Sequence, residues 1–206
     1  MKKRILIVGA GGIGLKHMRA MGALDVPPRL AVIEPRPDAR ARAAELGVEV
    51  LDSDWEGVDL SQFDGVVICA PAPMHVPMLA RCLSEGVPVL TEKPLSQAWD
   101  GVEELIALAD KEGAPPSGVA YTRRYVPAHR KAQEIVASGE LGPILAVRVL
   151  AGQPFTSYRP DYRQTYYASR AMGGGCTLDF ASHFVDLVQF YAGPINSICG
   201  YPRHLT

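Results

Sequence analysis

Four apolar residues, Ile5-Leu6-Ile7-Val8, run directly into Gly9-Ala10-Gly11-Gly12-Ile13-Gly14, and helix-forming residues follow. A G-x-G-x-x-G spacing placed between a strand and a helix leaves few folds open. Gly9 lets the chain turn tightly, Gly11 removes the side chain that would block a pyrophosphate, and Gly14 lets the helix pack close to the strand. The helix N-terminus then turns free N–H groups and the positive end of its dipole toward phosphate. Gly9, Gly11, Gly12, Ile13 and Gly14 are therefore expected to bind a dinucleotide.

The residues up to Tyr121 repeat one pattern. Apolar runs Arg4–Val8, Leu30–Ile33, Val66–Cys69 and Val87–Leu90 alternate with helix-like stretches such as Asp38–Leu46 and Val76–Glu85. The runs are continuous, with no polar residue at every second position, so each strand is expected to be buried on both faces of a parallel sheet with helical crossovers. A helix over Trp99–Glu112, stopped by Gly113 and Pro115-Pro116, and a strand around Val119–Tyr121 complete a Rossmann-type, doubly wound α/β sheet over residues 1–121. After a boundary near Thr122 the pattern changes. It predicts a helix over Pro127–Ser138, a strand Ile144–Leu150, a polar and aromatic loop from Gly152 to Met172, a helix Cys176–Tyr191 stopped by Gly193-Pro194, and a short strand Ile195–Cys199. Two strands are too few for an independent sheet, so residues 122–206 read as a truncated α+β substrate domain.

Glu34 closes the second apolar run, near the distance at which a carboxylate accepts hydrogen bonds from the adenosine ribose and repels a 2'-phosphate. This favours NAD. Arg36, two residues on, leaves NADP as the alternative. The formal charge of -1 over 206 residues removes the usual case for nucleic acid or an anionic membrane. No apolar run reaches the length of a membrane span, and Met1-Lys2-Lys3-Arg4 leads into a strand rather than a signal peptide, so a cytoplasmic protein is expected. Cys69, Cys82, Cys176 and Cys199 lie far apart, and neither a metal site nor a disulfide framework is indicated.

Leu90-Thr91-Glu92-Lys93-Pro94-Leu95 places a carboxylate and an ammonium side by side at the carboxyl edge of the sheet, where such folds bind ligands. Together with Ala70-Pro71-Ala72-Pro73-Met74-His75, this resembles the Gfo/Idh/MocA family of sugar oxidoreductases. The segment around Arg123-Arg124-Tyr125, the turn Ser138–Pro143 and the stretch Gly173-Gly174-Gly175 to Asp179 and His183 extend the resemblance over the whole chain. Thr122 departs from the Asn common in that family. The resemblance implies that Glu92 lies near the nicotinamide ribose, that Lys93 contacts the reacting substrate oxygen, and that Pro94 follows a cis peptide bond as in some relatives. Ala70, Pro71 and His75, just past the fourth strand, are expected on the cofactor side, with capping or packing of the following helix the alternative for His75.

The chemistry of alcohol oxidation asks for the same groups, since a hydride leaves carbon while a proton leaves oxygen. His183 suits the base, Lys93 stabilises charge on the oxygen, and Asp179, four residues before His183, shares its helix face. Asp186 is expected to buttress that face. Arg123, Tyr158, Arg159 and Arg163 are expected at the substrate, and the last three suggest an acidic or nucleotide-linked sugar. The remaining tyrosines, Tyr166 and Tyr167 among them, read equally as core or as substrate contacts, and His17 reads as structural or solvent-facing. Family members normally continue beyond this length, so the sheet edge is expected to be covered by self-association or by a partner subunit. The function expected is an NAD(P)-dependent dehydrogenase of a sugar, cyclitol or sugar derivative, with a cofactor-binding subunit lacking turnover as the alternative.

Overall fold

The computed structural model describes residues 2–201. Its first half is a six-stranded, all-parallel sheet. In chain order the elements are β1 (Arg4–Val8), α1 (Gly12–Gly22), β2 (Arg29–Ile33), α2 (Pro37–Ala44), β3 (Glu49–Val50), β4 (Gly65–Ile68), α3 (His75–Ser84), β5 (Val89–Thr91), α4 (Val102–Ala109) and β6 (Ser117–Val119). The strands lie in the order β3-β2-β1-β4-β5-β6. The direction of travel reverses between β1 and β4, which opens a crevice at the carboxyl ends of those two strands.

The continuous apolar runs are explained by two cores. Leu6, Val8, Ala31, Ile33, Val66 and Ile68 face α3 and α4 and pack with Met78, Leu79, Cys82, Leu83 and Leu105. Ile7, Val32 and Val67 face the other way, onto Leu15 and Met18 of α1 and Ala39 and Ala43 of α2. Neighbouring residues on one strand thus enter opposite cores, and neither side of the sheet leaves a position for a polar residue. The register pairs Val8 with both Ile33 and Ile68, and Ile68 with Thr91. Gly9, Glu34, Cys69 and Glu92 consequently leave the sheet together at one edge.

Beyond β6 the chain is mainly helical: α5 (Pro127–Ala137), a single turn α6 (Phe155–Tyr158), three-residue 3-10 turns within 162–172, and a π-turn, Thr177–Ala181, leading into α7 (Ser182–Ala192). Arg124 anchors this part by donating to both carboxylate oxygens of buried Asp186 on α7 at 2.6–3.0 Å. Asp186 thus ties α7 to the segment after β6 through a bidentate ion pair. The predicted strands Ile144–Leu150 and Ile195–Cys199 do not form. Both segments are exposed throughout, with Leu145 and Leu150 93% and 97% accessible, and neither lies beside another strand. A strand is held by the ladder to its neighbour, and β-propensity without one yields only an unpaired chain. Conversely, β3 was not expected; its two residues are too few to show a pattern and exist because they pair with Ala31 and Val32.

Candidate active site

The glycine turn divides into two pairs with different duties. Gly9 has φ +96, and a Cβ there would meet the Cys69 carbonyl oxygen at 2.9 Å; at Gly14 it would meet the Gly9 carbonyl oxygen at 2.1 Å. These two let β1, β4 and α1 close on one another. At Gly12 a Cβ would meet nothing within 4 Å, and at Gly11 only the Arg36 guanidinium at 3.9 Å. Gly11 and Gly12 leave space open in front of a helix start that no side chain caps. Open volume, N–H groups and a helix dipole are what a diphosphate requires, so the residues present fit a dinucleotide.

Glu34 is fixed within this turn. Its carboxylate accepts from the Ala10 N–H at 2.7 Å and from the Arg36 N–H and Nε at 3.0 Å, and only 7% of the residue is accessible. Burial pushes its pKa up, but the hydrogen bonds from the Arg36 side chain and backbone and from Ala10 outweigh it and hold the carboxyl below its usual value. Glu34 is thus an anion built into the turn, and Arg36 is its counter-ion.

On the other side of the crevice, Ala70 and Pro71 follow β4. His75 is 2% accessible, and its two ring nitrogens lie 2.8 Å from the carbonyl oxygens of Ala70 and Pro94. With both nitrogens facing backbone carbonyls, the ring ties the loop after β4 to the turn after β5 and has none left to meet a cofactor. In that second turn Glu92 is buried, the Lys93–Pro94 peptide bond is cis, and the Lys93 N–H donates to Glu92 Oε2 at 3.2 Å. The other Glu92 oxygen, Oε1, lies 2.7 Å from His17 Nε2 of α1.

Lys93 reaches from the sheet rim to the π-turn, where its ammonium donates to both the Asp179 carbonyl and Asp179 Oδ1 at 2.7 Å. The Tyr166 hydroxyl donates to the same Oδ1 at 3.2 Å. His183, one turn further on, is partly buried, with the Tyr121 ring edge-on to its own at 6.1 Å. Burial lowers its pKa, Lys93 and then Arg123 lower it further, and Asp179 and Glu92 oppose them. The structure therefore brings Lys93, Asp179 and His183 into one electrostatic neighbourhood, with Lys93 and Asp179 in direct contact.

The Arg/Tyr loop is largely engaged with itself. Arg159 lies over Tyr158 and Tyr167, Arg163 over Tyr162, and Phe155 packs edge-on against Tyr158, Tyr162 and Tyr167. Arg123 lies over the Phe184 ring at 4.9 Å. The glycine triplet lets this loop approach the π-turn: a Cβ on Gly174 would meet the Tyr166 carbonyl oxygen at 2.2 Å. Two contacts were not foreseen in the sequence, that of His17 with Glu92 and that of Tyr166 with Asp179. His17 sits three residues after Gly14, on an adjoining strip of the same helix, and that spacing was a usable signal. Tyr166 had none, because its approach depends on the close passage at Gly174.

A parallel sheet in this strand order, with an open glycine turn and a lysine–carboxylate pair at its carboxyl edge, defines a dinucleotide-binding oxidoreductase fold. Residues 3–120 match the model of the Gfo/Idh/MocA oxidoreductase family, NAD-binding Rossmann fold, and residues 129–205 match the family's C-terminal domain. The chain belongs to this family. It is 26% identical over 190 residues to the rhizopine catabolism protein MocA of Rhizobium meliloti, covering 92% of this chain and 57% of that protein. It is 28% identical over 193 residues to an inositol 2-dehydrogenase of Corynebacterium glutamicum, covering 92% and 54% respectively. The fold superposes with a TM-score of 0.82 on a scyllo-inositol dehydrogenase from Lactobacillus casei, crystallised with NAD(H) and scyllo-inositol, at 23% identity and over 94% of this chain and 57% of that one. The chain thus spans a little over half the length of the relatives it matches.

Proposed function

We propose that the chain carries the cofactor site and the reacting groups of an NAD-dependent dehydrogenase that oxidises a secondary alcohol of a cyclitol or sugar. The observation that carries this reading is the Lys93–Asp179 contact at the carboxyl edge of the sheet that also carries the glycine turn. The bound nicotinamide supplies the hydride acceptor. Lys93 donates to the substrate oxygen and stabilises the negative charge that develops there, while Asp179 holds the ammonium in place and accepts from a substrate hydroxyl. His183 takes the hydroxyl proton; its lowered pKa keeps the imidazole neutral, as a base must be, at neutral pH. Tyr166 orients Asp179.

Glu34, held as an anion, disfavours a 2'-phosphate and so supports NAD over NADP. The inositol-acting relatives support a neutral polyol over an acidic or nucleotide-linked sugar. We take Tyr121 and Thr122 as the border between the cofactor and substrate parts. The exposed, unpaired segments 144–150 and 195–199 support pairing with a second copy or a partner subunit, in the cytoplasm.

The test is NADH formation from a panel of cyclitols and sugars by wild type and Lys93→Ala. Losing the group that stabilises the oxyanion is expected to lower kcat by about 10²–10³. Equal rates would overturn the role of Lys93. NADH binding with no turnover of any polyol would favour a cofactor-binding subunit instead.

A further inference from the structure

His17 lies in α1, the helix whose N-terminus faces the phosphate site, and its ring meets the turn after β5. His17 Nε2 lies 2.7 Å from Glu92 Oε1, with the two side chains only 15% and 10% accessible. A carboxylate oxygen only accepts, so Nε2 carries the proton and donates it. The second oxygen of Glu92 accepts the backbone N–H of Lys93 at 3.2 Å. One short chain of contacts therefore joins the glycine-turn helix to the backbone of the residue whose ammonium meets Asp179. Among the described residues, no other side-chain hydrogen bond joins these two elements.

We propose that His17 is a positioning residue that acts through Glu92: it fixes the carboxylate, the carboxylate fixes the Lys93 backbone, and dinucleotide occupancy of the glycine turn is thereby linked to the placement of Lys93. The packing supports this. Glu92 N–H is itself anchored to the Ile68 carbonyl at 2.9 Å, so the main chain at Glu92 is pinned and its side chain is the part left to be oriented. His17 supplies that orientation from the helix that Gly14 lets pack closely on the glycine turn. The consequence for catalysis rests on the dehydrogenase reading above; the link between His17 and Lys93 does not.

The experiment compares wild type, His17→Ala, His17→Gln, Glu92→Gln and the double variant His17→Ala/Glu92→Gln. It follows NADH affinity by fluorescence, kcat and KM for a cyclitol, and the NMR signal of the Lys93 side chain with and without NADH. For His17→Ala, NADH affinity stays within about threefold and kcat falls about 10- to 100-fold, the equivalent of one lost hydrogen bond to a charged group. His17→Gln, which retains a donor, recovers most of that loss, and the double variant is no worse than Glu92→Gln alone. Additive losses, or an unchanged kcat in His17→Ala, would overturn the proposal. Should the wild type turn over no polyol, the dehydrogenase reading fails, but the lysine signal still decides: it shifts on NADH binding in wild type and loses that shift in His17→Ala. A shift of the same size in both proteins would overturn the link.

Discussion

One methyl group placed at two positions three residues apart is expected to have opposite effects. At Gly14 an added Cβ would sit 2.1 Å from the Gly9 carbonyl oxygen, about 1.3 Å closer than an ordinary contact. Both atoms belong to rigid backbone, so α1 must move away from β1. Overpacking of that kind costs about 1–3 kcal/mol, and a backbone clash belongs at the upper end. In a chain of this size each kcal/mol lowers Tm by about 2–4 °C, so Gly14→Ala should melt roughly 5–10 °C below wild type. At Gly11 the nearest atom to an added Cβ is the Arg36 guanidinium at 3.9 Å, and the backbone, at φ -65, ψ -174, suits alanine. Gly11→Ala should therefore melt within about 2 °C of wild type, the difference reflecting only a poorer helix N-cap. Its methyl, however, fills the volume assigned to the diphosphate, and NADH affinity should fall at least about tenfold, the cost of 1.4 kcal/mol or more. Thermal melts and NADH titrations of the two variants provide the check. Wild-type NADH affinity in Gly11→Ala would refute the placement of the diphosphate, and an unchanged Tm in Gly14→Ala would refute the packing argument.

Other outcomes follow from the charged groups. An NMR titration of the His183 ring should give a midpoint below the ordinary 6.5, and Arg123→Ala should raise it; a midpoint at or above 6.5 in wild type would contradict the burial that lowers it. Arg124→Ala leaves the buried Asp186 carboxylate without its partner and should cost about 3 kcal/mol in denaturant unfolding, whereas a change under about 0.5 kcal/mol would mean the pair is not structural. Glu34 has a folded-state pKa below its ordinary 4.5, so the stability it contributes is present above that pH and is lost as pH falls through the folded value. Glu34→Gln should flatten stability against pH in that acidic window, and an unchanged slope would show that the carboxylate is not held as described.

The sheet was legible because its physics is local. Ile5 to Val8 are apolar without interruption since Leu6 and Ile7 enter different cores, and Gly9 and Gly14 announce a turn that tolerates no side chain. Lys93, Asp179 and His183 were legible as residue types suited to one chemistry, although their meeting depends on a long-range fold. The failures also have physical causes. Residues Ile144–Leu150 carry strand-like composition, but a strand is a relation between two segments, and no second segment lies beside this one among the described residues. His75, which follows β4 at the ligand-binding edge, stood open between a cofactor contact and packing; its burial between the Ala70 and Pro94 carbonyls could be known only once β5 was placed beside β4. The stacking of Arg159 on Tyr158 and Tyr167 and of Arg163 on Tyr162 depends on a loop conformation that no sequence spacing announces.

The central claim is that a hydride leaves a carbinol carbon in this crevice under the hands of Lys93 and His183. Supplying wild type and Lys93→Ala with NAD and an inositol deuterated at every ring carbon, then analysing the nicotinamide by mass spectrometry, follows that atom directly. Deuterium should appear in the reduced nicotinamide with wild type and be nearly absent with the variant. Unlabelled nicotinamide in the presence of turnover, or equal labelling by both proteins, would contradict the account.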